Sequence, residues 1–245
     1  MNKIIFSILS LSIFLFLSSC DDGPIEKTNN ATTGGKVVKV EGTITGLNTW
    51  SDRYDVSVAG FTDDAANESM PYATISKVVT VDANGHASIV LSNIGSSVKN
   101  VEICALNRLR QRIVTFSSMD ISNASSNDTI RFDIGTIDAS MLAGIQTGIF
   151  SATCAACHGA NGTSAADLNL TEGNAYASLV NHKSTMRPEL LRVKPGDADN
   201  SLIWQVIYGD ASESWPMNHG DMLNKERAAG LLQMLEDWID NGASN

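Results

Sequence analysis

The spacing of apolar residues changes once along this 245-residue chain, and that change constrains the fold more than any other feature. From residue 36 to about residue 137 apolar and polar residues alternate, and Val, Ile and Thr are abundant. Successive side chains of a strand point to opposite faces, so period two describes strands with one face buried. Residues 54–61, YDVSVAGF, alternate over most of their length; residues 37–44, 77–81, 87–91, 100–105, 111–116 and 129–134 are the other candidates. Turn-prone groups such as Asp82-Ala83-Asn84-Gly85 separate them.

After residue 138 the apolar residues recur every three or four positions, the helical spacing. Met141, Leu142, Ile145, Ile149 and Phe150 share one side of a predicted helix over 140–153. Ala228, Leu231, Leu232, Leu235, Trp238 and Ile239 do so over about 224–241. Gly144 and Gly148, four apart, make a flat patch that lets another helix approach closely. The prediction is therefore two domains. Residues 36–137 form an all-β antiparallel sandwich of immunoglobulin-like or transthyretin-like kind, and residues 138–245 form an all-α domain.

The β region carries no evident chemistry. His86 falls in a turn, and Cys104, inside the apolar run Val101-Glu102-Ile103-Cys104-Ala105-Leu106, reads as a buried free thiol. Arg108, Arg110 and Arg112 read as a solvated hairpin cluster.

The amino terminus addresses the chain. Asn2-Lys3 precedes an apolar run of about 14 residues, too short for the roughly 20 that span a bilayer, so residues 1–19 read as a signal peptide. Leu17-Ser18-Ser19-Cys20 resembles the lipobox of bacterial lipoproteins, which implies acylation at Cys20 and anchoring to a membrane outside the cytoplasm. Residues 20–35, rich in Asn, Gly and Thr, have the composition of a flexible linker. Asp21-Asp22 resembles the export signal of surface lipoproteins in some Gram-negative groups and a retention signal in others. The outer membrane, on its periplasmic or cell-surface face, is the expected location. With 17 basic against 27 acidic residues and a net charge of −10, the chain lacks the cationic surface that nucleic acid requires.

Two of the four cysteines lie in Cys154-Ala155-Ala156-Cys157-His158. A zinc site needs a second ligand pair at metal-binding spacing, and none is present. A thioredoxin-like pair needs a βαβ context, whereas this segment lies between helical patterns. From four Cys and four His in 245 residues, a chance CxxCH is on the order of one in a thousand. The spacing is that of c-type haem attachment, in which two thiols add across the vinyl groups and the histidine ligates the iron.

Residues from about 149 to 243 resemble the single-haem c-type cytochrome domains of exported bacterial proteins. The matching stretches are Cys154-Ala155-Ala156-Cys157-His158-Gly159-Ala160-Asn161-Gly162, Leu168-Asn169-Leu170, Ala175-Tyr176-Ala177-Ser178-Leu179-Val180-Asn181, Arg192-Val193-Lys194-Pro195-Gly196-Asp197, Asn200-Ser201-Leu202-Ile203 and Trp238-Ile239-Asp240-Asn241-Gly242-Ala243. The resemblance implies a class I cytochrome c fold for 138–245, its first and last helices crossing with Trp238 near the Gly144/Gly148 patch, and one covalent haem c on Cys154 and Cys157, with His158 as proximal ligand. The family carries Met-Pro-x-x-Gly before its last helix. Here Trp215-Pro216-Met217-Asn218-His219-Gly220 reverses Pro and Met, and Met217 is the expected distal ligand. Met222, Met186, His219, His182 and an open iron stand as alternatives. Leu168, Leu170, Tyr176, Leu179, Val193 and Trp204 are expected around the ring, and Arg187 and Arg192 beside its propionates. The proline whose carbonyl usually orients the proximal histidine is missing between His158 and Met186, so another acceptor must serve.

The expected function is a membrane-anchored monohaem electron carrier between extracytoplasmic redox partner proteins, without enzymatic activity of its own. The alternatives are an accessory or sensory lipoprotein whose β-sandwich binds a partner or glycan, and, more remotely, a peroxidase-like enzyme.

Overall fold

Seven strands form along the alternating region: β1 Lys36–Thr45, β2 Tyr54–Phe61, β3 Ile75–Val78, β4 His86–Ile94, β5 Asn100–Asn107, β6 Arg112–Asp120 and β7 Thr129–Asp138. The computed structural model describes residues 35–66, 68–159, 164–208, 218–224 and 228–245. The signal segment, Cys20, the linker up to residue 34 and Met217 lie outside the described residues.

The strands make two sheets, ordered β4-β1-β7 and β3-β2-β5-β6. In β1 the alternation is visible directly: Val38, Val40 and Ile44 are buried, while Lys39 and Glu41 face outward and pair at 2.6 Å. Val38, Val40, Ile89, Leu91 and Phe132 of the first sheet meet Val56, Val58, Val101 and Ile103 of the second in one apolar core. β1 and β7 run parallel, which corrects the expectation of an antiparallel sandwich throughout. No hairpin joins these two strands; the whole second sheet intervenes in sequence, so turn geometry does not dictate their direction.

The far face of the second sheet is covered as well. Ala59, Phe61, Cys104 and Leu106 pack there with Ala65 and Ala73, while Tyr54, Ala105, Ile113 and Val114 meet the helical part of the chain. That is why β2 is buried on both faces for most of its length.

Among the described residues the expected all-α cytochrome c domain is not seen, and the two-part fold prediction is corrected: they are mostly β-sheet with a few short helices. The described α-helices are α1 Met141–Ile145, α2 Ala175–Leu179, α3 Leu202–Tyr208 and α4 Ala229–Asp240. The predicted helix over 140–153 breaks up. Ser140 caps α1 by accepting the Ala143 N–H at 3.1 Å, Gln146–Phe150 widens into a π turn, and Cys154–Ala156 tightens into a 3-10 turn. Isolated bridges, including Val180 with Val193, hold the loops between. Their apolar faces pack on one another and on the end of the second sheet: Met141, Ile145, Phe150, Leu232, Met234, Leu235 and Trp238 share a core with Ala105 and Val114. Residues 34–245 accordingly form one compact unit. Among the described residues no helix is long and apolar enough to cross a membrane.

The glycine patch does admit the last helix. A Cβ on Gly148 would stand 2.6 Å from Leu231 Cδ2, and one on Gly144 would stand 3.4 Å from Met234 Cε. Leu231 and Met234 thus occupy the place expected of Trp238, whose Nε1 donates to the Ser244 carbonyl at 2.7 Å.

Candidate cofactor cleft

The CxxCH motif is a helical turn with its thiols and imidazole on the rim of a cleft. The Cys157 and His158 N–H groups both approach the Cys154 carbonyl, at 3.2 and 3.0 Å. Cys154 is half-buried, Cys157 exposed, and both are free thiols. Burial, and then the neighbouring Cys157, push the Cys154 thiol up to about 11. At neutral pH it is therefore overwhelmingly protonated and a poor attacker of disulfides.

Segment 164–170 wraps this turn. The Leu170 N–H donates to the His158 carbonyl at 2.7 Å, and the Ala165 N–H to the Cys157 carbonyl at 3.2 Å. His158 Nδ1 lies 2.9 Å from the Ala165 carbonyl oxygen. A carbonyl only accepts, so Nδ1 carries the proton and the lone pair is left on Nε2. This is the orienting acceptor that the missing proline left unassigned, and it fixes the tautomer that a metal-ligating imidazole needs.

The cleft holds about 110 Å³ and opens to solvent. Leu168, Leu170, Leu179, Leu202, Val206 and Ile207 form apolar walls beside Cys154, Cys157 and His158. Of the expected pocket residues, Leu168, Leu170 and Leu179 line it. Val193 is in the core, Tyr176 packs at its edge, and Trp204 lies against Tyr208 at a centroid distance of 4.2 Å.

Arg192 also lines the cleft, at 4% exposure. Its Nη1 donates to the Ser178 carbonyl at 2.8 Å, and its Nη2 to the Ala166 and Asp167 carbonyls at 2.8 and 3.1 Å. It forms no ion pair among the described residues. Desolvation lowers its pKa, partly countered by the Asp167 charge. A cation held by carbonyl dipoles at the edge of an apolar cleft is a place for an anionic group. Its signal in the sequence was an arginine inside the apolar run Leu190-Leu191-Arg192-Val193. Arg187 is not among the lining residues.

Opposite the motif, the 3-10 turn His219–Asp221 closes the cleft with His219, Met222 and Leu223. His182 and Met186 are exposed and do not line it. Among the described residues no group of three or more His, Cys, Asp or Glu side chains is arranged to hold a metal ion. A haem iron needs only axial ligands from the protein, because the porphyrin supplies the other four. Two free thiols, an anchored imidazole, apolar walls and a buried cation are groups that an apolar macrocycle with anionic side arms would fit.

No family model, curated protein or solved structure matches this chain.

Proposed function

We propose that this protein is a c-type haem protein carrying one covalent haem on Cys154 and Cys157, and that it passes single electrons between extracytoplasmic redox partners. The observation that carries the reading is His158 on the rim of an apolar cleft, its Nδ1 committed to the Ala165 carbonyl and its Nε2 available, beside two free thiols. When bound, the haem supplies the iron that gains and loses the electron. The chain's own residues attach it, orient one axial ligand, exclude water with leucine and valine walls, and meet its acidic arms with Arg192. Anchoring through an acylated Cys20 would keep the carrier at a membrane, with the outer membrane favoured, and the linker would give it reach.

Expression in a host able to mature c-type cytochromes, followed by a pyridine haemochrome spectrum of the denatured protein, tests the reading. One covalent haem per chain is expected, and none in Cys154→Ala/Cys157→Ala. Wild-type protein that emerges without covalent haem overturns it. Cys20→Ala is expected to abolish labelling by a radioactive fatty acid and to release the protein from membranes.

A further inference from the structure

We infer that the second axial ligand of this site is His219, so that the iron is held between two imidazoles. The inference rests on the haem reading above and adds the identity of the distal group. The His158 and His219 rings are nearly parallel, 22° apart, with centroids separated by 6.2 Å. Two imidazoles bound to opposite sides of one metal ion, each through a bond of roughly 2 Å, have ring centres roughly 6 Å apart once the reach from nitrogen to ring centre is added.

The turn that presents His219 is pinned. The Asn218 side chain accepts the Gly220 N–H at 3.0 Å and donates to Asp221 Oδ2 at 2.8 Å, and the Met222 N–H meets the His219 carbonyl at 3.1 Å. His219 Nδ1 is buried although the residue as a whole is only half-buried. The described competitors are worse placed. Met186 is 58% exposed and off the cleft, His182 is exposed and off it, and Met222 reaches the cleft but is 47% exposed. Met217, the residue expected from the sequence, lies outside the described residues.

Imidazole in place of a thioether favours ferric iron, so the potential is expected below that of a methionine-ligated carrier. The test is spectroscopic and uses the haem-loaded full chain. The wild-type ferric protein is expected to be low-spin, to lack the far-red band of methionine on iron, and to resist carbon monoxide when reduced. His219→Ala is expected to form the carbon monoxide adduct at once, and added imidazole to restore the low-spin spectrum. His219→Met is expected to raise the potential and to introduce the far-red band. A far-red band in the wild type, which would assign a sulfur such as Met217, overturns the inference, as does an unchanged spectrum in His219→Ala. If the alanine variant does not fold, the electron paramagnetic resonance of the wild type decides, since two near-parallel imidazoles and a histidine–methionine pair give different g-values. Failure of the haem reading itself is recorded separately, as a negative haemochrome assay on the wild type.

Discussion

Glu102 is a carboxylate at 5% exposure inside a β-sheet, a position that is tolerable only because its charge is fully answered. Arg112 Nη1 donates to one oxygen and Thr115 Oγ1 to the other, each at 2.6 Å, while Arg112 Nη2 reaches the Ala65 carbonyl and its guanidinium stands 5.1 Å over the Phe61 ring. Arg112→Met strands the carboxylate and is expected to cost about 3–5 kcal/mol in urea unfolding, whereas pairing it with Glu102→Met should recover most of the loss. In the sequence Arg112 looked like one of three solvated arginines. The register that sets β6 against β5 was not readable there, and it is that register which turns the side chain onto Glu102. The CxxCH motif was legible because its meaning is local. The Ala165 carbonyl was not, since a backbone oxygen leaves no trace in residue identity. Cys154 carries a pH signature. Its folded value of about 11 stands above the ordinary 9.0, so its contribution to stability is whole below about pH 9 and disappears as the pH climbs through 11. Thermal unfolding of the haem-free protein should show a fall over that window, and Cys154→Ser should flatten it.

At the scale of elements, strands were more legible than helices because each needs only its own alternation. β2 forms over the residues its pattern marked. β3 differs: Ile75–Val78 is the paired segment and the Val79 N–H still donates to the Val56 carbonyl at 2.9 Å, so the strand begins before the 77–81 that apolar spacing marked and ends within it. The stretch over 140–153 has a helical apolar face, yet its backbone passes from the α-helix Met141–Ile145 into the π turn Gln146–Phe150 before the 3-10 turn Cys154–Ala156 begins. Periodicity records which face is buried, not whether the backbone ladder stays regular. Gly148 sets how closely α4 can lie. Because a methyl group there would stand only 2.6 Å from Leu231 Cδ2, Gly148→Ala should lower stability by about 1–3 kcal/mol, measured as a drop in Tm. Leu231→Val in the same chain should return part of it.

Across the whole molecule, the two sequence patterns suggested independent parts, but buried polar contacts join them. Tyr54 Oη on β2 donates to Asp237 Oδ2 on α4 at 2.7 Å, with Arg53 3.4 Å from the other oxygen, and Trp50 Nε1 donates to the Ala139 carbonyl at 2.7 Å. Burial and then Asp237 push the Tyr54 hydroxyl far above its ordinary range, so it stays a donor at any physiological pH. Tyr54→Phe removes that donor from a buried carboxylate and should cost about 1–3 kcal/mol, read by chemical unfolding. Charge is uneven at this scale: residues 138–245 hold 6 basic and 13 acidic residues. On the proposed electron-carrier reading, transfer to a partner with a basic face should slow as ionic strength rises, and a rate indifferent to salt would remove acidic docking from the account.

The Tyr54–Asp237 bond spans 183 positions in the chain, which bears on the order of events during biogenesis. Contacts between distant segments close slowly and form late, and α4 follows the cysteine pair by some seventy positions. Cys154 and Cys157 emerge well before the helix that seals their core. On the proposed haem reading, the thiols would be modified on an unfinished protein, and docking of α4 would come after attachment.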